Sequence, residues 1–77
     1  MPFSAPTGTD RVEIVVNGLA ETVPADSTVS ALIERFKEYD ANLIVELNGR
    51  YVYPEQYDNT AILSGDRLEL VNPDFGG

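Results

Sequence analysis

The 77 residues contain no cysteine and no histidine. Disulfides, thiolate nucleophiles, imidazole bases and almost every transition-metal ligand set are excluded at once. The chemistry left is that of carboxylates: thirteen Asp and Glu stand against five Lys and Arg, for a net charge of −8. Glu46 and Glu55 would serve as an acid–base couple only beside a nucleophile or an oxyanion-binding motif, and none is present. No catalytic residue and no metal site is therefore expected. One further carboxylate ends the sequence N-P-D-F-G-G, on Gly77 behind Gly76. Glycine loses the most entropy on ordering, so a terminal pair adds nothing to a fold. At average glycine usage two in a row fall at a given place roughly 0.5% of the time.

Composition sets the frame that positions this terminus. A 43% hydrophobic fraction in so short a chain fits one globular domain with a modest core, monomeric when free. The acidity repels nucleic acid and anionic lipid and suits a basic protein partner, although it also serves solubility alone. The first ten residues, M-P-F-S-A-P-T-G-T-D, lack the basic start and apolar run of a signal peptide, and no stretch is long enough to span a membrane. A cytoplasmic protein is expected, with residues 1–10 as a flexible leader, 11–71 as the domain and 72–77 as a flexible tail.

Periodicity then divides the domain. R-V-E-I-V-V puts Val12, Ile14 and Val16 on one face, with Arg11 and Glu13 on the other. Asn17-Gly18 predicts a type I′ turn, and L-A-E-T-V returns as a second strand to Pro24. In D-S-T-V-S-A-L-I-E-R-F-K-E-Y-D the period becomes helical, with Val29, Leu32, Ile33 and Phe36 as the apolar stripe. Ser27 or Thr28 is the predicted cap, with Asp26 near the positive end of the dipole. L-I-V-E-L-N is apolar enough to lie inside a sheet, covered on both faces. Asn48-Gly49 turns into R-Y-V-Y, which stops at Pro54; P-E-Q-Y-D-N-T is a surface turn or one helical turn. Tyr51 and Tyr53, opposite Val52, are expected with Tyr57 to cover one face of the core, the alternative being a partner surface. Gly65-Asp66 turns into the last strand, R-L-E-L-V.

The predicted order is β-β-α-β-β-β. Its crossover helix gives the first strand a parallel partner. This is an α+β β-grasp, a mixed sheet of about five strands around one helix. In that order, V-N at the first turn, T-V-x-x-L-I at the helix start, V-x-L-N-G before the second turn, E-Q-Y, and G-D-R-L-E-L before a Gly-Gly ending resemble the ubiquitin-like sulfur carriers of the ThiS/MoaD family, ThiS most of all. The likeness runs from about Val12 to Gly77. The leader departs from the ThiS pattern, Pro54 stands where many members carry arginine, and the proline-containing tail is similar to those of MoaD proteins.

The resemblance implies that the chain is a carrier rather than an enzyme. An adenylyltransferase of the ThiF/MoeB kind, using ATP and Mg, activates the Gly77 carboxylate, and sulfur replaces the adenylate as a thiocarboxylate. The chain itself binds no cofactor. The implied acceptor is a thiazole synthase of thiamine biosynthesis. The alternatives are a MoaD-like carrier for molybdopterin synthesis, a ThiS-like carrier for cysteine or homocysteine synthesis, and a ubiquitin-like modifier of lysines. Gly76 threads a narrow channel that a Cβ would obstruct. Pro73 fixes one φ and directs the tail outward. Phe75 anchors in an apolar pocket of the partner or folds back on the sheet, and Asp74 meets a basic group or stays solvated. Glu46, Glu55, Asp58 and Glu69 are candidate docking acids.

Overall fold

The alternation in R-V-E-I-V-V becomes β1, Arg11–Val16, in a computed structural model that describes residues 10–73. Ile14 and Val16 are buried and Val12 packs against the core from the same face. Asn17 (φ 50°) and Gly18 (φ 86°) form the expected turn, and β2, Leu19–Pro24, returns antiparallel from the Val16↔Leu19 pair to Arg11↔Pro24. The remaining elements are α1 (Val29–Arg35), β3 (Ile44–Leu47), β4 (Arg50–Val52), a 3₁₀ helix (Pro54–Asn59) and β5 (Arg67–Val71). One five-stranded sheet results, in the order β2-β1-β5-β3-β4. Among the described residues its only parallel pair joins β1 to β5, so the helix carries the chain past the position beside β1, which the last strand fills. This is the β-grasp.

Helix α1 lays Val29 and Leu32 on the sheet, fully buried among Val23, Val45, Leu68 and Ile62, while Ile33 and Phe36 pack at the edge. Thr28 is the cap: its hydroxyl accepts from Ala31 N at 3.1 Å. Ser27 is buried instead and donates to the Pro24 carbonyl at 2.6 Å. Asp26 lies before the cap with φ 70°, and no acid occupies the first turn. The helix is also shorter than the polar–apolar pattern, which runs on to Asp40. Phe36 is its C-cap and Lys37 turns left-handed (φ 57°). Lys37 N then donates to Glu34 O (3.1 Å) and Glu38 N to Ile33 O (3.0 Å), a Schellman closure. A backbone motif satisfies the last carbonyls one turn before the pattern ends.

Two expectations are corrected because, among the described residues, only one face of the sheet is covered. β3 is interior in strand order, but only Leu43 and Val45 are buried, with Leu47 packed beside them; Ile44 is half-buried and Glu46 exposed. Tyr51 and Tyr53 do not cover the core either. Their rings meet edge-on, with centroids 4.6 Å apart, and both remain about half exposed on the side opposite buried Val52. Only Tyr57 of the three tyrosines packs against the core.

Candidate functional site

Strand β5 leads directly into the tail, and three groups fix where it ends. The first is Asn17. Its backbone N donates to Leu68 O (3.0 Å), its Oδ1 accepts from Leu70 N (2.8 Å), and its Nδ2 donates to Leu70 O (3.2 Å). The side chain thus prolongs the parallel ladder past the end of β1, from a residue whose positive φ the hairpin already requires. On the other side of β5, Ile44 pairs with Val71. The third is Asn72, whose Nδ2 donates to Glu38 Oε1 at 2.9 Å across from the end of the helix. Asn72 Oδ1 is buried without a hydrogen-bond partner. Asn17, Glu69, Leu70, Val71 and Asn72 line an open depression of about 390 Å³.

The opposite end of β5 is held by the second Asn-Gly turn. Asn48 (φ 54°) donates its backbone N to Arg67 O (2.7 Å) and its Nδ2 to Asp66 Oδ1 (3.0 Å), and its Oδ1 accepts from Arg67 N (2.9 Å). Asp66 Oδ2 accepts from Leu63 N at 2.8 Å, closing the Gly65 turn. Both Asn-Gly turns therefore clamp the strand that carries the tail. Sequence reading assigned these asparagines only to turns; a side-chain amide able to satisfy both N–H and C=O was the available signal.

Of the predicted site residues, Pro73 is an exposed turn residue at the limit of the description. Asp74, Phe75, Gly76 and Gly77 lie outside the described residues. The four candidate docking acids do not gather. Glu46 and Glu69 face each other directly on the uncovered sheet face, where like charges oppose pairing. Glu55 and Asp58 sit on the 3₁₀ helix instead. The Tyr57 phenol is held above its ordinary pKa of 10.0 by burial and, secondly, by neighbouring Tyr51. Among the described residues no cluster of side chains is arranged to hold a metal ion, and no helix is long and apolar enough to cross a membrane.

The ThiS family model matches residues 9–77. The thiamine biosynthesis protein ThiS of Geobacter metallireducens has a similar structure: TM-score 0.74 at 32% identity, over 86% of this chain and 100% of that one. A chain solved in work on molecular mimicry of SUMO in DNA repair shares the fold, with TM-score 0.57 at 20% identity over 82% of this chain and 92% of that one. No curated protein sequence matches significantly.

Proposed function

We propose, from the premise that the chain belongs to the ThiS family and is a sulfur carrier, that Gly77 carries the sulfur and delivers it to thiazole formation in thiamine biosynthesis. The observation that carries this reading is the family match, which extends through Gly76 and Gly77. The name of the Geobacter protein supports the thiamine route.

In the activating enzyme, a Gly77 carboxylate oxygen attacks the α-phosphorus of ATP and pyrophosphate departs. Hydrosulfide, or a sulfur donor acting as its equivalent, then adds to the acyl carbon. AMP leaves with the bonding pair. The net change is one oxygen for one sulfur, and with hydrosulfide no electron acceptor is needed. ATP and Mg belong to the activating enzyme; this chain supplies the acyl group and its delivery. Asn17, Ile44 and the Glu38–Asn72 bond fix the root of the tail. The five residues 73–77 reach at most about 17 Å from that root. Glycine at the last two positions keeps the end narrow enough to enter a nucleotide site.

The test is the intact mass of the untagged protein from its own host, with the C-terminal peptide sequenced. A gain equal to the difference between sulfur and oxygen, located at Gly77, is the expected result. Only carboxylate under sulfur limitation, and again after incubation with the host's adenylating enzyme, ATP and sulfide, refutes the carrier reading for Gly77. A deletion strain whose growth is restored by the thiazole precursor alone supports the thiamine route. Rescue only by molybdopterin-dependent bypass or by cysteine reassigns the acceptor.

A further inference from the structure

A second surface adjoins the root of the tail. Between the end of α1, the connection to β3 and the 3₁₀ helix lies a cleft of about 290 Å³. Leu43, Pro54 and Tyr57 give it apolar walls, and Glu34, Glu38 and Asp40 place carboxylates around it. No basic side chain lines it; Arg35 and Lys37, adjacent in sequence, are exposed elsewhere on the turn. Tyr39 also borders the cleft while remaining 64% exposed. The volume lies at the lower edge of the ~300–1,000 Å³ usual for small-molecule and cofactor sites, and leaves room for one long side chain.

The chemistry selects the occupant. Carboxylates close to aromatic rings and an apolar wall fit a guanidinium, which bonds carboxylate in a planar fork and stacks on tyrosine. An ammonium meets the charge but not the stacking geometry. The chain's own tail is a poor occupant, since Asp74 and the Gly77 carboxylate would enter a negative field. Glu38 links the cleft to the tail: it lines the cleft and accepts the 2.9 Å bond from Asn72. An enzyme that holds Gly77 in its active site works within about 17 Å of the strand end at Asn72, and Glu38 brings the cleft up to that strand end.

We propose that this cleft is a docking site for an arginine side chain of the enzyme that activates the tail. The inference rests on the sulfur-carrier reading and adds to it a contact on the helical side of the molecule. Its test is calorimetric binding of the full chain to the host's adenylating enzyme, without ATP, at low and at physiological salt. The cleft pair Glu34→Lys with Asp40→Asn is compared with Glu21→Lys with Asp10→Asn, which changes net charge equally at the β1–β2 side. Asparagine at position 40 retains an acceptor for the 2.7 Å bond from Asn42 N, and thermal unfolding verifies that both variants stay folded.

The cleft pair is expected to weaken binding about tenfold or more at low salt, with the difference shrinking as salt rises. The control pair should cost less than about threefold. Equal weakening by the two pairs, or none from the cleft pair, overturns the proposal. If the wild-type chain meanwhile gains sulfur at Gly77, the carrier reading survives that failure. A wild-type chain that does not bind the adenylating enzyme at all overturns both.

Discussion

Replacing Asn17 by glycine isolates the clamp on β5 from the turn that contains it. Glycine adopts the observed φ of 50° without strain, so the hairpin keeps its backbone. What disappears are the 2.8 Å and 3.2 Å bonds to Leu70 N and O. At about 0.5–1.5 kcal/mol net for each bond, Asn17→Gly should cost roughly 1–3 kcal/mol. Taking about 2 kcal/mol, and 4–8 °C per kcal/mol for a domain of this size, Tm should fall by roughly 8–16 °C. Urea unfolding should show a lower midpoint at an unchanged slope, with faster amide exchange at Leu70. Asn48→Gly is the internal comparison, because its φ is 54° but its side-chain bonds to Asp66 and Arg67 are exposed. Water replaces those partners more readily, so its cost should stay below about 1 kcal/mol. An Asn17→Gly protein within about 0.5 kcal/mol of wild type, or an Asn48→Gly protein that loses more, would refute the assignment of Asn17 as the clamp at the tail end of β5.

The remaining predictions concern stability measured by denaturant or heat. Leu32 is 1% exposed, so Leu32→Ala should cost about 2–5 kcal/mol. A 77-residue chain has about 4–12 kcal/mol in all, so circular dichroism should show a large loss of Tm or unfolding at room temperature. Lys37 occupies the left-handed C′ position with φ 57°, and Lys37→Gly should raise stability by about 0.5–1 kcal/mol in urea titrations. Burial raises the Tyr57 pKa from 10.0, so the folded state favours the neutral phenol. That contribution is complete below about pH 10 and is lost as pH rises through the higher folded value. Stability measured from pH 9 upward should therefore fall less steeply in Tyr57→Phe than in wild type.

Local chemistry made most of the elements legible. The period of two in R-V-E-I-V-V, the helical spacing of Val29, Leu32, Ile33 and Phe36, and the two Asn-Gly pairs each encode a backbone preference that holds without distant contacts. The errors fall where a distant contact decides. Whether L-I-V-E-L-N is covered on both faces depends on which side the single helix packs, and Glu46 was the only sign that one face stays open. Tyr51 and Tyr53 read as core cover ahead of a partner surface, because alternation assigns them a common face without saying which face is buried. The end of α1 depended on a Schellman closure at Lys37, a residue type with little preference for the left-handed conformation.

The candidate site divides in the same way. Its proposed reactive end, Gly76-Gly77, is a property of composition and order, legible because the V-N, T-V-x-x-L-I, V-x-L-N-G and G-D-R-L-E-L segments precede it in family order. The root of the tail is not. Asn17 meets Leu70 across 53 positions and Glu38 meets Asn72 across 34, and no periodicity records such pairs. By itself the sequence determined the strands, the helix and the turns, since these follow from short-range sterics and the apolar period, and it placed the Gly-Gly pair behind them. Only the tertiary structure decided that β5 is the strand that fills the parallel place expected beside β1, that both turn asparagines grip it, and that an acidic cleft stands beside the strand's end. Those outcomes depend on which surfaces the buried core brings together.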